Sequence, residues 1–287
     1  MELLDRTITL PSKTTIVRVY YLYDFHIGAF GFDDNLLRRH INRILREEFS
    51  YAIIGGDTAE YIGKRDPRYN PRGVHPMFHD ALKKNNLVGA QVAHVKKRLR
   101  PLANQNRILG FLEGNHEQKM ALHTDYNPVE EICTDLELPY GGGNCVQALR
   151  MKRKVSEGTR LCLTNAIHGK RGGATTAGKV TACERQAVRV RGCNIYMRGH
   201  GHVKFQLPGE RVGAKMIGSK LKEYKEPESK GSSGSYARTL MPGGSSYAED
   251  GEYPPTDLGC LFAEITPFAA DAHDGMKMLV ELRDLVM

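Results

Sequence analysis

The chain has 287 residues, of which 40% are hydrophobic and 26% are charged, and its formal net charge is +8. This length can bury a sizeable core, and we predict one domain over residues 1–287. No run approaches the roughly eighteen consecutive apolar residues that a membrane span requires, and the first residues lack a basic region followed by an apolar one. We therefore expect a cytoplasmic protein without a membrane partner. The basic charge favours a polyanionic partner, although it is also compatible with an ordinary soluble protein.

The six cysteines are scattered and form no C-x-x-C pair. Several of them lie in apolar runs, so buried thiols in a reducing compartment are expected in place of disulfides or a zinc cluster.

The first part of the chain predicts a βαβ unit. Residues 15–23 are β-branched and aromatic, which predicts a strand, and they lead directly to Asp24 and His26. An amphipathic helix follows, and then residues 51–54 predict a short strand that is buried on both faces and leads to Asp57. Metal-ligand residue types thus follow both strands.

A third strand end carries polar side chains of the same kinds. The Pro, Gly and charge content of residues 61–76 predicts a loop, and residues 75–100 are largely helical in pattern. Residues 107–112 then predict a strand that is followed by Asn115 and His116.

Two later strands end in histidine. Residues 159–167 lead to His168, and residues 193–197 lead to the motif that contains His200 and His202. The other predicted elements of this half are strands at 145–152, 203–207, 214–217, 259–266 and 276–282 and a helix at 181–190.

The Gly, Ser, Pro and Tyr content of residues 222–257 predicts a long loop or a mobile flap. Its tyrosines could stack on bases or simply anchor the loop. These tyrosines are Tyr224, Tyr236, Tyr247 and Tyr253.

Loops at the carboxyl ends of strands share one crevice in an open α/β sheet, so the five polar loops are expected to converge there. Their carboxylates, imidazoles and amide oxygen suit Mn²⁺, Fe or Zn²⁺, and their number exceeds what one tetrahedral ion needs. We therefore predict two divalent metal ions, with Mn²⁺ favoured. Asp57 could bridge ions about 3.5–4 Å apart. The remaining histidines are assigned to packed or solvated positions: His40, His75, His79, His94, His123 and His273.

The order D-x-H, G-G-D, G-N-H-E, isolated His and G-H-x-H resembles the calcineurin-like metallophosphoesterase superfamily over residues 24–202. The resemblance implies a four-layer α/β/β/α sandwich with a dinuclear metal centre at the edge of the sheets. It implies two ligand sets: Asp24, His26 and His202 for the first metal, Asp57 as the bridge, and Asn115, His168 and His200 for the second metal.

The resemblance also implies two catalytic residues. His116 would contact the scissile phosphate and protonate the leaving oxygen, and Glu117 would orient His116. Such an acid is chemically sensible because leaving alkoxides are poor without a proton.

Departures from the family pattern bear on the substrate. The residues after Asp57 lack the Asp-Arg pair of the Ser/Thr phosphatases, so a phosphoprotein substrate is disfavoured. The motif at Asp24 is similar to the repair exonuclease branch, and the segment at residues 234–256 is similar to phosphoesterases encoded by bacteriophages. Glu60 resembles a residue of the lipid A precursor pyrophosphatases, which usually carry Arg at the position of His116.

The leading hypothesis is a metal-dependent phosphodiesterase that acts on nucleic acid or nucleotides, supported by the charge and by a basic segment at residues 96–100. One alternative is a phosphomonoesterase or pyrophosphatase that acts on a small metabolite. A non-catalytic scaffold is disfavoured, because a scaffold does not need His116.

Overall fold

Two six-stranded mixed sheets form the centre of the protein. The computed structural model describes residues 1–63, 66, 69–153, 158–170, 175–239, 255–271 and 275–285. Sheet I contains, in spatial order, β14 (Gly275–Asp284), β13 (Leu261–Asp271), β2 (Val17–Leu22), β3 (Ser50–Ile54), β4 (Ile108–Leu112) and β5 (Tyr140–Gly142). Sheet II contains β1 (Glu2–Leu10), β6 (Asn144–Arg153), β7 (Thr159–Ile167), β8 (Ile195–Arg198), β12 (Ser229–Ser232) and β9 (Phe205–Leu207). A separate hairpin consists of β10 (Glu210–Ile217) and β11 (Lys220–Pro227).

The strands that lead into the polar loops run parallel within each sheet. In sheet I, β2, β3 and β4 are parallel neighbours, and in sheet II, β7 is parallel to β8. Their carboxyl ends therefore lie at the same edge, as expected for a site made from several strand ends.

The helices cover the outer faces of the two sheets. They are α1 (Asp34–Arg46), α2 (His79–Lys83), α3 (Leu87–Asn104), α4 (Asn115–Thr124), α5 (Pro128–Leu136) and α6 (Thr176–Arg189), with 3₁₀ turns at Pro71–Gly73 and Pro76–Phe78. On α1, Asp33 accepts a hydrogen bond from the backbone N–H of Leu36, which caps the helix.

Successive side chains of β2 point into two different hydrophobic cores. Tyr20 and Leu22 pack in the core between sheet I and its helices, whereas Val19 and Tyr21 pack in the core between the two sheets. On the far side, Gln186 of α6 donates hydrogen bonds to backbone carbonyls of sheet II. The order helix, sheet, sheet, helix confirms the four-layer α/β/β/α architecture.

All six cysteines are buried and free. None of the helices in the described segments has the length and apolar character that crossing a membrane requires.

Several predicted elements require correction. The edge strand β1 was not predicted, because most of its residues are exposed and give no buried alternation. Helix α6 begins five residues before the predicted start at 181, since Thr175 caps it through the backbone N–H of Gly178.

The loop predicted over residues 222–257 is wrong in its first part. The first residues of this segment belong to β11 and β12. These strands pair with β10 and β8 and do not form a flap. Tyr236 is fully buried, and its hydroxyl lies 2.8 Å from Nδ1 of His40, so it anchors the chain and does not offer a stacking surface. Tyr247, Tyr253 and the rest of residues 240–254 lie outside the described residues, as does His273. The prediction of a single domain stays a prediction.

Candidate metal centre

The five polar loops meet at the common edge of the two sheets. Asp24, His26, Asp57 and Asn115 arrive from sheet I, and the histidines at 168, 200 and 202 arrive from sheet II. The structure thus brings together all seven residues that the sequence suggested as metal ligands.

Five of these residues have left-handed backbone conformations, with φ between 48° and 65°. They are Asp24, His26, Asp57, His200 and His202. Non-glycine residues seldom adopt this conformation, and such strain is concentrated at functional sites. The backbone therefore turns sharply at each strand end and directs short polar side chains to one point.

The first group contains Asp24, His26 and His202. Nε2 of His202 lies 3.4 Å from Oδ1 of Asp24 and 3.1 Å from Nε2 of His26. Oδ1 of Asp24 is buried without a hydrogen-bond partner, whereas its Oδ2 accepts a 2.9 Å bond from the backbone N–H of His200. A buried, unpartnered carboxylate oxygen that faces two imidazole nitrogens fits a divalent cation.

The second group contains Asp57, His168 and His200. Nε2 of His168 lies 3.2 Å from both Oδ2 of Asp57 and Oδ1 of Asn115. Nδ1 of His168 is 2.9 Å from the carbonyl oxygen of Gly55, which can only accept, so Nδ1 carries the proton. In the neutral ring, the lone pair of Nε2 then faces the group, as a metal ligand requires.

Asp57 lies between the two groups, and Glu60 supports the first. Oδ2 of Asp57 is also 3.9 Å from Nε2 of His26, which puts this carboxylate between the groups, where a bridging ligand would lie. Nδ1 of His26 is 2.7 Å from the carboxylate of Glu60, a contact that orients Nε2 towards the first group. Glu60 was not predicted as a site residue. Its position three residues after Asp57, in a loop that leaves a strand end, was the available signal.

The electrostatics follow from the burial of several carboxylates. Burial lowers the pKa of His168, but the adjacent Asp57 carboxylate outweighs this effect and raises the pKa to about 10. Burial likewise lowers the pKa of His26, whereas its bond to Glu60 and nearby acids raise it to about 9. His200 differs, because burial and the nearby His168 lower its pKa to about 4. The buried carboxylates thus stabilise positive charge nearby. Divalent ions would supply that charge and would displace the protons of His168 and His26.

His116 lies beside the first group, next to His26 and Glu60. Its backbone N–H donates a 2.9 Å bond to Oδ1 of Asp57, and its Nδ1 is 2.8 Å from the carbonyl oxygen of Glu60. Because a carbonyl only accepts, Nδ1 carries a proton, and Nε2 is the nitrogen that can exchange one with a bound molecule.

The contacts of Glu117 favour a structural role over the orientation of His116, which stays a prediction. Its carboxylate is fully buried and accepts bonds from the backbone N–H groups of Asp57, Thr58 and Gly114 and from the Thr58 hydroxyl. These donors contact both oxygens, while Nδ1 of His116 lies 2.8 Å from the carbonyl oxygen of Glu60. Glu117 therefore fixes the loop that carries Asp57.

The other described histidines lie in packing or surface positions, as the sequence suggested. His94 is 2.9 Å from Asp34 in the interface of α1 and α3, and His123 is exposed on α4.

The basic segment at residues 96–100 is largely structural. Lys96 bonds to Glu131 and Asp135, and Arg98 bonds to Asp34, so both cations are neutralised by neighbouring helices. Only Lys97 and Arg100 in this segment are exposed. The segment therefore gives little support to nucleic-acid binding.

No protein-family model and no curated protein matches the sequence. Among solved structures, the chain is similar to Vps29 from Chaetomium thermophilum at 11% identity and a TM-score of 0.33, covering 93% of this chain and 96% of that chain. It is similar to a Vps29 single mutant from Entamoeba histolytica at 12% identity and a TM-score of 0.34, covering 94% and 100%. It is also similar to the nuclease MPE from Pseudomonas putida at 14% identity and a TM-score of 0.34, covering 86% and 82%.

Proposed function

We propose that the protein is a dinuclear metal-dependent phosphodiesterase that acts on nucleic acid or nucleotides. The observation that carries the proposal is the arrangement around Asp57: one group of ligand atoms on each side, and the backbone of His116 bonded to the same carboxylate. A single tetrahedral site would leave several of these buried groups without a role.

Seven residues of the chain would act as metal ligands. Asp24, His26 and His202 would hold one ion, Asn115, His168 and His200 the other, and Asp57 would touch both. The ions would supply Lewis acidity to a bound phosphoryl oxygen and lower the pKa of a bound water. Mn²⁺ is the favoured metal, since carboxylate and amide oxygens suit it, and the imidazoles also suit the alternatives Fe and Zn²⁺.

His116 would act as the general acid. The Glu60 carbonyl keeps the proton on Nδ1, so a protonated ring presents Nε2–H to the leaving oxygen. An acid is most valuable where the leaving group is an alkoxide, as in a nucleic-acid backbone. The net charge of +8 further favours a polyanionic substrate.

The decisive experiment is a substrate panel with Mn²⁺ that compares p-nitrophenyl phosphate, bis-p-nitrophenyl phosphate, and single-stranded and duplex nucleic acid. We expect the diesters to be preferred. Preference for the monoester would instead favour a phosphatase of small metabolites, and no hydrolysis of any substrate would contradict the proposal.

The same panel tests His116. We expect His116→Ala to retain its metal by elemental analysis and to lose about 10²–10⁴-fold in turnover, most severely for poor leaving groups. The matched control is His123→Ala, which removes an exposed histidine from the same helix and should be as active as the wild type. Stoichiometric metal loss in His116→Ala would show that His116 is a ligand.

A further inference from the structure

A buried lysine lies against the loop between the two candidate metal sites. Lys179, in the first turn of α6, is only 8% exposed. Its Cδ, Cγ and Cε atoms are 3.3, 3.6 and 3.7 Å from the point where a Cβ on Gly201 would lie. Gly201 separates His200 from His202, so the lysine stem crosses the backbone between the two ligand groups.

The ammonium group of Lys179 has no hydrogen bond or ion pair with any described residue. The acid that acts on it is Asp257, whose attraction only partly offsets the burial that lowers the pKa of Lys179. A lysine buried to this degree is ordinarily paired, because an unpaired buried cation is destabilising. Since no described carboxylate lies within ion-pair distance of this ammonium group, an anion that binds here would meet a cation without a competing partner.

The surroundings of Lys179 are suited to an anion. Thr175 accepts from the backbone N–H groups of Gly178 and Lys179, which leaves those of Thr176 and Ala177 for a ligand at the start of α6. The helix dipole adds partial positive charge there. Thr175, Thr176 and Ala177 at this end are exposed, which leaves it accessible. Helix termini with a nearby cation are suited to phosphate.

The position of Lys179 indicates which phosphate it meets. His116, the proposed acid, contacts Asp57 and Glu60 on the side of sheet I. Lys179 contacts the loop that follows β8 of sheet II. The lysine stem thus approaches the ligand groups from sheet II, whereas His116 approaches them from sheet I.

We propose that Lys179 and the first turn of α6 bind a second phosphate on the retained part of the substrate, next to the scissile one. This inference rests on the proposed function and narrows its substrate class to phosphodiesters that carry a neighbouring phosphate, such as oligonucleotides.

The test uses two esters that differ by that phosphate: the p-nitrophenyl ester of thymidine 5′-phosphate and its 3′-phosphorylated form. In both, p-nitrophenol leaves and the nucleoside is retained. The wild type should have the lower KM for the 3′-phosphorylated ester. Lys179→Met should raise that KM about tenfold and abolish the preference, whereas Lys179→Arg should keep it.

Binding provides a readout that does not need turnover. Calorimetry with Mn²⁺ compares thymidine 3′,5′-bisphosphate with thymidine 5′-phosphate, and only the former should bind about tenfold more weakly to Lys179→Met. Lys97→Met, which removes an exposed lysine from α3, is the charge-matched control and should bind both as the wild type does. If no ester is hydrolysed but Lys179→Met still binds the bisphosphate more weakly than the wild type does, the proposed activity is contradicted and the phosphate site is supported.

A thermal melt separates phosphate binding from a structural role of Lys179, because loss of a structural contact would lower the Tm. Because Lys179 is buried and unpaired, Lys179→Met should keep or raise the Tm. A lowered Tm together with an equal loss for both ligands would overturn the proposal, and so would an unchanged preference in Lys179→Met.

Discussion

The two nitrogens of each buried imidazole have different partners, and this division determines what the ring can do. In His168 the carbonyl of Gly55 holds Nδ1, and in His26 the carboxylate of Glu60 does so. In both, Nε2 is left for the centre. The sequence could predict that these histidines lie near each other, because they follow strands. It could not predict which nitrogen faces inward, since that depends on contacts over 34 and 113 residues of separation.

The two histidines of the G-H-x-H motif fall in different ligand groups, so their removal should empty different sites. We expect His200→Ala and His202→Ala each to bind one Mn²⁺ in place of two, measured by calorimetry. The double variant should bind none. His26→Ala combined with His202→Ala, which removes two members of the first group, should still bind one ion.

The variant that lacks both His200 and His202 can also contradict the assignment of two metal sites. If His200→Ala combined with His202→Ala still bound one ion, both histidines would serve the same site and the dinuclear arrangement would be wrong.

Glu117 stabilises the loop of Asp57 through its four accepted hydrogen bonds. Burial and the nearby Asp57 charge raise the pKa of Glu117, yet these donors favour its carboxylate form. Glu117→Gln replaces one acceptor oxygen by an amide that can only donate, which leaves buried N–H groups unpaired. We expect a loss of about 2–4 kcal/mol in the free energy of unfolding, measured by urea titration of the metal-free protein.

The matched control for this change is Glu48→Gln, which alters an exposed glutamate and should shift stability by less than about 0.5 kcal/mol. Equal stabilities of Glu117→Gln and the wild type would contradict a structural role for Glu117.

At the scale of elements, the segment that precedes the undescribed residues 240–254 braces the end of β2. The backbone N–H of Tyr236 and the hydroxyl of Ser235 both donate to the carbonyl of Asp24, at 2.9 and 2.8 Å. The buried strands and the positions of the polar loops were predictable, because continuous apolar runs end at them. This brace was not, because its glycine and serine content is typical of a loop and its burial depends on contacts with α1 and β2.

The contact between α1 and Tyr236 predicts a pH dependence of stability. Burial, with Arg39 and Arg43 nearby, lowers the pKa of His40 to about 4, so the folded protein holds this ring neutral. Below its ordinary pKa of about 6.5 the unfolded chain binds the proton first. As the pH falls from about 6.5 to 4, His40 should therefore remove up to about 3 kcal/mol of stability.

His40→Gln keeps a polar partner for the Tyr236 hydroxyl and does not titrate. The difference between the wild type and this variant, measured by urea unfolding across the pH range, isolates His40 from other groups. Parallel pH profiles for the two proteins would contradict the assignment.

At the scale of the whole molecule, each ligand group draws on both sheets. Asp24 and His26 of sheet I meet His202 of sheet II, and Asp57 of sheet I meets His168 and His200 of sheet II. Bound ions would therefore join the two sheets at one edge, next to the core between them. Since unfolding separates the sheets, metal binding and global stability should be linked.

We expect Mn²⁺ to raise the Tm of the protein. An ion at a concentration of about 100 Kd stabilises by about 2.7 kcal/mol per site, which corresponds to a shift of several degrees. The control is His200→Ala combined with His202→Ala, which should not respond to Mn²⁺. An equal shift in that variant would assign the stabilisation to some other site.

The burial of all six cysteines gives the native protein its own internal reporters of opening. Cys133 and Cys260 lie between sheet I and its helices, Cys145 and Cys162 lie between the sheets, and Cys183 lies on α6 against sheet II. Burial raises the pKa of each of these thiols to about 11 or 12, so alkylation at neutral pH requires exposure. Residue-resolved labelling of the unmodified chain would thus record the order in which its layers separate.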